Sequence, residues 1–238
     1  MKTTNKTKKA AGLLSVMALG SASAVTALID FGTSNTPTYN QAAMGAAGSA
    51  ATTGVVALND TAAAPTGWTV TVLNTGSGNG GNAGAGANAL IFPAAVSGFE
   101  TTAVQDSIYA NQGAGVNPAM VVTFAGLSTS ATYDLLLYGS RLNAQGADQQ
   151  WSLTEGTGGG LVSHFSEDNQ TTVVDWTSVS PNGSGVIEIL INADPAGDNV
   201  GALALNFGSI TENAIPEPSG ASLLGLSLGM LFLRRKRK

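Results

Sequence analysis

The sequence predicts an all-β fold, a single β-sandwich or jelly roll, and two patterns carry this prediction. Apolar and polar residues alternate with a period of two in short segments, as strands with one buried face require. Gly, Asn, Pro and Ser separate these segments, as in the turns of sandwiches and barrels. Helical periodicity is not sustained between residues 25 and 213, so the folded body is expected to be built from strands.

Each strand is predicted from its own alternation. In the segment from Gly185 to Asn192, Ile187, Ile189 and Ile191 share one face and Glu188 takes the other. The same pattern gives Trp68 with Val70 and Val72, Met120 with Val122 and Phe124, and Leu203 with Leu205 and Phe207. Further candidate strands are Ala27 to Phe31, Val55 to Leu58, Tyr133 to Ser140, Gln149 to Glu155 and Thr171 to Val179.

Two segments depart from alternation. Leu135-Leu136-Leu137 is continuously apolar, which predicts a central strand covered on both faces. The segment from Asn74 to Asn88 is nearly all Gly, Asn, Ala and Ser, which predicts a mobile surface loop. No linker of comparable strength divides the remainder, so residues 25–213 are predicted to form one domain.

The N-terminus has the pattern of a secretory signal peptide. Four lysines within residues 1–9 precede a short apolar stretch from Ala10 to Leu19. Ala22 and Ala24 then supply the small side chains that signal peptidase accepts. Residues 1–24 are therefore predicted to be a signal helix and cleavage site, and the mature chain is expected to begin at Val25.

The C-terminus combines three features within residues 214–238. Pro216, Glu217 and Pro218 precede an apolar run from Ser219 to Leu233, and five basic residues end the chain. As a helix, such a run spans about 22 Å, which snorkelling cations and local thinning can match to a bilayer. The basic residues should remain cytoplasmic, so a transmembrane helix is predicted here, with residues 25–215 outside.

This tail resembles the sorting signal of PEP-CTERM proteins, which Gram-negative bacteria export and process with an exosortase. The resemblance implies that Pro216, Glu217 and Pro218 mark the processing site. It also implies a transient inner-membrane anchor and delivery to the cell surface or extracellular matrix. Signal peptidase and exosortase are the partners expected during export. Because this family sorts very diverse bodies, the resemblance implies a location rather than an activity.

The charges of the body exclude one class of partner. Residues 25–215 contain 14 carboxylates and a single cation, Arg141. Such a surface repels phosphates, so no nucleic-acid binding is expected. The chain contains no cysteine, which excludes disulfides, cysteine metal sites and cysteine nucleophiles.

The sequence offers no recognisable catalytic constellation. His164 is the only histidine, and no G-x-S-x-G elbow accompanies it. Paired carboxylates remain as a route to glycoside hydrolysis, but their separation in space decides that chemistry. A noncatalytic protein without a resident cofactor is therefore predicted.

Calcium is the one metal for which the sequence supplies ligands. Asp194, Asp198 and Asn199 fall in one short loop, and Glu167, Asp168 and Asn169 form a weaker cluster. Hard carboxylate and amide oxygens are the ligands that Ca²⁺ prefers. Asp and Asn also form turns for purely conformational reasons, so the metal hypothesis stands beside that alternative.

Glycan binding is predicted at the end of one strand. Tyr138 and Arg141 end the segment from Tyr133, where the loops of jelly rolls form ligand sites. An aromatic face can stack on a sugar, and a guanidinium fork can bind hydroxyls or carboxylates. The alternative for Arg141 is a structural ion pair with a carboxylate. Alternation assigns the three tryptophans, Trp68, Trp151 and Trp176, to the core.

Several segments resemble the galactose-binding-like jelly-roll domains of exported planctomycete and verrucomicrobial proteins. They are Leu28 to Gly32, residues 122–127, Tyr133 to Arg141 and Leu203 to Asn206. The sequence therefore predicts a noncatalytic, exported β-sandwich that contributes to the extracellular polysaccharide matrix, either by weak glycan binding or as a structural component. Two alternatives remain open: a carbohydrate-active hydrolase that uses two carboxylates, and a calcium-dependent adhesion module.

Overall fold

The computed structural model describes residues 24–32, 37–44, 52–74, 80–83, 99–110, 118–141, 148–166, 169, 172–194 and 202–213. All of them belong to one compact unit, Ala24–Ala214. The strands are β1 (Val25–Asp30), β2 (Asn40–Gln41), β3 (Val56–Asn59), β4 (Pro65–Asn74), β5 (Gly80–Ala83), β6 (Ser107–Ala110), β7 (Ala119–Ala125), β8 (Tyr133–Tyr138), β9 (Asp148–Glu155), β10 (Val162–Phe165), β11 (Val174–Val179), β12 (Ile187–Ala193), β13 (Leu203–Leu205) and β14 (Phe207–Glu212). One helix, α1 (Thr101–Gln105), lies between β5 and β6.

Two large sheets carry most of these strands. The six-stranded sheet has the order β10-β9-β12-β7-β4-β3, and the five-stranded sheet has the order β11-β8-β14-β1-β2. In the first, β12 pairs antiparallel with β7 and β9. In the second, β1 pairs with β14 along its whole length, from Val25 opposite Glu212 to Asp30 opposite Phe207. The two ends of the described body are thus joined in one sheet.

The main core combines the inward faces of both sheets, as the alternation predicts. Ile187, Ile189 and Ile191 are fully buried, whereas the residues between them are half-buried. The same holds for β7, where alternate residues from Met120 to Phe124 are buried. Burial of each such side chain contributes about 1.5–3 kcal/mol to the stability of the folded state. The prediction of a mostly β, sandwich-like body is confirmed.

A second, smaller cluster covers the other face of the five-stranded sheet. Tyr138 and Phe207 pack there against Ala103 and Val104 of α1. Leu136 lies on this face, whereas Leu135 and Leu137 point into the main core. This arrangement confirms that β8 is a central strand covered on both faces, and it explains the unbroken apolar run.

A third sheet, of order β13-β6-β5, was missed by the sequence analysis. Its strand β5 lies inside the segment from Asn74 to Asn88, which is therefore not entirely the loop that the composition predicts. The strand predicted across Leu203, Leu205 and Phe207 is also divided. It breaks at Asn206, so that β13 enters the third sheet and β14 enters the five-stranded one.

The two predicted terminal helices lie outside the described residues. Of the cleavage-site alanines, Ala24 is exposed and directly precedes β1, whereas Ala22 lies outside the described residues, as do Pro216, Glu217 and Pro218. Within the described part of the chain, no helix has the length and apolar character needed to cross a membrane.

Candidate functional site

The candidate site lies where β8 ends, at Gly139-Ser140-Arg141. The Cα of Gly139 faces the carbonyl oxygen of Ala204, which occupies the space that a Cβ would need. Only glycine therefore allows β8 to approach β13 this closely. The peptide N–H of Arg141 donates to the carbonyl of Ser166 at 2.8 Å, which fixes the backbone after the strand ends.

Asn206 holds this strand end from inside the protein. Its Oδ1 accepts the N–H of Ser140 at 2.7 Å, and its Nδ2 donates to the carbonyl of Val104 at 3.0 Å. Its own N–H donates to the carbonyl of Tyr138, and its carbonyl accepts the N–H of Phe31, both at 2.9 Å. The residue is fully buried. Its side chain therefore links the end of β8 and helix α1 to the point where β13 ends and β14 begins.

Asn169 also supports this strand end. Its Nδ2 donates to the carbonyls of Gly139 and Thr172 at 2.9 and 2.7 Å. Its carbonyl accepts the hydroxyl of Tyr138 at 2.6 Å. Both Asn169 and Asn206 are buried, and buried polar groups that are fully paired specify a single arrangement of the chain around them.

Tyr138, one of the two predicted glycan-binding residues, packs in the second cluster. Only 2% of its surface is exposed, and burial raises the pKa of its phenol. It shares that buried cluster with Ala103, Val104 and Phe207. In the described structure, Tyr138 supports the strand end, and it does not present an open aromatic face.

Arg141, the other predicted residue, lies on an aromatic ring. Its guanidinium carbon is 4.2 Å from the ring centroid of Tyr109, on β6. Both side chains are half-buried, and burial lowers the pKa of Arg141. A cation over an aromatic face is stabilised by about 0.5–2 kcal/mol. We call Tyr109, Arg141 and Ser166 the Arg141 corner.

Tyr109 was missed by the sequence analysis. No local pattern connects it to Arg141, because their proximity depends on β6 pairing with β13 beside the end of β8. Two fully buried carboxylates, Asp30 and Asp106, were also missed. The carboxylate of Asp106 occupies the space next to Gly32 in which a Cβ would lie.

The three tryptophans are core residues, as the alternation predicts. The ring of Trp68 meets the ring of Tyr133 edge to face at 5.5 Å. The indole N–H of Trp151 donates to Oε1 of Gln149 at 2.9 Å. Among the described residues, the buried Nε1 of Trp176 has no hydrogen-bond partner.

The calcium hypothesis remains a prediction. Oδ1 of Asp194 accepts Nε2 of Gln150 at 2.9 Å, and its N–H donates to the carbonyl of Asp148. Asp198, Asn199, Glu167 and Asp168 lie outside the described residues, as does the side chain of His164. Within the described residues, no three His, Asp or Glu side chains converge as a metal site would require.

Comparison with solved structures shows a distant structural likeness. No protein-family model and no curated protein matches the sequence. Among solved structures, the chain is similar to the enzymatically active domain of bacteriophage CBA120 tailspike protein 4, with a TM-score of 0.31 and 15% identity. The match covers 60% of this chain and 19% of that one, so the chain spans about a fifth of the matched structure.

Proposed function

We propose that the chain is an exported, exosortase-sorted protein of the cell surface or extracellular matrix. Its body is proposed to be a noncatalytic sandwich of jelly-roll type that binds glycans weakly at the Arg141 corner. The observation that carries the proposal is the position of Arg141, the only cation in residues 25–215, over the ring of Tyr109.

The geometry of this pair suits a polar, oxygen-rich ligand. Stacking engages the face of a guanidinium, whereas hydrogen bonds to hydroxyl or carboxylate oxygens use its edge. The ring of Tyr109 restricts the long side chain before a ligand arrives, which lowers the conformational entropy lost on binding. The buried network at Asn206 and Asn169 fixes the backbone that carries Arg141, so the corner is preorganised.

A glycan array tests the binding proposal, with the full chain applied in the presence and absence of calcium. Arg141→Lys retains the charge but loses the planar fork, and we expect a loss of binding of about tenfold, equivalent to about 1.4 kcal/mol. Tyr109→Leu should weaken binding similarly because the guanidinium loses its platform. Tyr109→Phe is the matched control, since it retains the ring.

Binding that is unchanged in Arg141→Lys would contradict the glycan proposal. Two further results would favour the alternatives. Turnover of chromogenic glycosides that is lost when an acidic pair is replaced would identify a hydrolase. A rise in Tm with calcium, together with calcium-dependent adhesion, would identify an adhesion module.

Cell fractionation tests the location in a Gram-negative host that carries an exosortase. The exported chain is expected to begin at Val25 and to lack the basic tail, as mass spectrometry of the released protein would show. Deletion of residues 216–238 should change where the chain accumulates and leave the Tm of the body unchanged. Intact chain in the cytosol, with both termini uncut, would contradict the proposal.

A further inference from the structure

A small cavity with a mixed polar and apolar lining lies between the edges of the two large sheets. Its volume is about 130 Å³, and its lining includes Thr38 and Tyr39 on one side and Asp60 and Thr61 on the other. The first pair directly precedes β2, and the second directly follows β3. These are edge strands of different sheets, so the cavity forms only when the sandwich closes.

The walls of the cavity are fixed by hydrogen bonds. Asn40 and Asn59 bond reciprocally: Nδ2 of Asn40 donates to the carbonyl of Asn59 at 2.9 Å, and Oδ1 accepts its N–H at 2.8 Å. The same Nδ2 donates to the carbonyl of Leu28 on β1 at 2.9 Å. The N–H of Thr61 donates to the carbonyl of Thr26 at 2.9 Å. Both walls are therefore anchored to β1.

Asp60 divides its two carboxylate oxygens between different roles. Oδ1 accepts the N–H groups of Ala62 and Ala64 at 2.9 and 2.8 Å, which shapes the turn between β3 and β4. Among the described residues, none donates a hydrogen bond to Oδ2. The carboxylate consequently keeps acceptor capacity for a hydroxyl group of a ligand.

The other lining groups complement this acceptor. Thr38 and Thr61 bring hydroxyls that can both donate and accept. Tyr39 contributes a half-buried ring, held edge to face at 5.8 Å from Phe207. Its phenol oxygen accepts the N–H of Glu100 at 3.0 Å, and its own proton can still be donated. An aromatic surface beside hydroxyls and a carboxylate matches the apolar faces and polar edges of a sugar.

Size and charge narrow the ligand class. A cavity of about 130 Å³ corresponds to about four water molecules and is smaller than the 300–1,000 Å³ typical of drug-sized ligands. It can therefore enclose part of one sugar ring, and it has no room for an extended oligomer. Asp60 disfavours anions, because it would place two negative charges together in an already anionic body.

We propose that the cavity between Thr38-Tyr39 and Asp60-Thr61 binds a single neutral sugar residue through its hydroxyl groups. The inference rests on the proposed exposure of the chain to extracellular polysaccharide, but it uses a site distinct from the Arg141 corner. Together the two sites would give the sandwich two weak contacts on one polymer, and paired weak contacts raise avidity without new interactions.

Saturation-transfer NMR on the full chain tests the inference, with the methyl glycosides of glucose, galactose and mannose as probes. At concentrations of about 10 mM, which suit a millimolar Kd, at least one glycoside should receive saturation from the protein. Thr61→Val removes only a hydroxyl. Asp60→Asn retains the oxygen that shapes the turn. Each should raise the Kd about tenfold, as loss of a hydrogen bond to a charged or hydroxyl group implies. The dependence of the transfer on glycoside concentration measures that change.

Thr129→Val, in an exposed turn, is the matched control and should leave the transfer unchanged. Tm values close to that of the unchanged chain show that each cavity variant is folded. The inference is wrong if no glycoside receives saturation, or if both cavity variants bind as well as the unchanged chain. Loss of transfer only in Arg141→Lys would place the sugar at the Arg141 corner, which supports the proposed function and overturns this inference.

A calcium titration distinguishes a sugar site from a cation site. If calcium chloride alone raises the Tm and Asp60→Asn abolishes that rise, while no glycoside binds, the cavity is a cation site. That result would overturn the sugar inference and leave glycan binding at the Arg141 corner to be decided by the array.

Discussion

Replacement of Asn206 by Ala tests whether one buried side chain holds the strand end that carries Arg141. Asn206 is fully buried, and its amide bonds the N–H of Ser140 and the carbonyl of Val104. Alanine removes both bonds and opens a small void. The two backbone groups are then left without a partner in a place where the surrounding residues exclude water.

The magnitude follows from these two orphaned groups. A buried polar group that loses its partner costs about 1–3 kcal/mol, so Asn206→Ala should lower the free energy of unfolding by about 2–6 kcal/mol. For a chain of this size, each kcal/mol corresponds to about 2–4 °C in Tm. Asn206→Asp should cost at least as much, because it places an acceptor against the carbonyl of Val104 and introduces a buried charge.

Urea denaturation of the full chain, followed by tryptophan fluorescence, measures these changes. All three tryptophans lie in the buried core, so their emission reports loss of the sandwich. Asn192→Ala is the matched control, since Asn192 is half-buried and its amide makes one bond of 3.3 Å to the adjacent carbonyl of Ala193. It should cost less than about 1 kcal/mol.

An Asn206→Ala chain whose unfolding free energy lies within about 0.5 kcal/mol of that of the unchanged chain, a range typical of surface substitutions, would contradict this role of the buried amide. An Asn206→Asp chain that is more stable than Asn206→Ala would also contradict it, because the buried carboxylate and the lost donor to Val104 would then cost less than the retained bond to Ser140 contributes. A loss of stability equal to that of the Asn192 control would show that burial of the amide is unimportant.

Three further predictions concern strain, crowding and pH. Ala63 has φ +62°, so Ala63→Gly should raise the unfolding free energy by about 0.5–1 kcal/mol, and a lower urea midpoint would refute this. Gly32→Ala forces a Cβ onto the carboxylate of Asp106 and should cost about 1–3 kcal/mol, whereas Gly160→Ala, with open space around it, should be neutral. Burial raises the pKa of Tyr39, Tyr133 and Tyr138. The stability that these neutral phenols contribute is complete below the unfolded pKa of about 10 and is lost as the pH rises from that value through the higher folded pKa. Residues 25–215 contain no lysine or cysteine, so a Tm that stays constant up to pH about 12 would contradict the tyrosine assignment.

Alternation found most strands of the two large sheets, although not the short edge strands β2 and β10, because it records burial directly. In β7 and β12, every second side chain enters the main core, and this periodic demand is visible in any short window of sequence. The tryptophans followed from the same rule. The unbroken apolar run in β8 was also correctly interpreted, since both faces of that strand are covered.

The elements that the pattern missed are short or are stabilised from a distance. Helix α1 has only five residues, too few for a helical period to appear. Strand β5 is composed of small residues whose pairing with β6 gives no local signal. At Asn206 the chain passes from one sheet to another while the apolar alternation continues from Leu205 to Phe207. The pattern therefore predicts one strand where there are two, in different sheets.

The sequence by itself determined the β-rich class, the core faces of its main strands and the concentration of cations at the termini. Each of these features depends only on residues that are close together in the sequence. Only the tertiary structure decided that Arg141 lies on Tyr109, that Tyr138 is enclosed, and that a cavity lies beside two edge strands of different sheets. Those arrangements join residues far apart in the chain, and strand order, which local periodicity does not encode, brings them together.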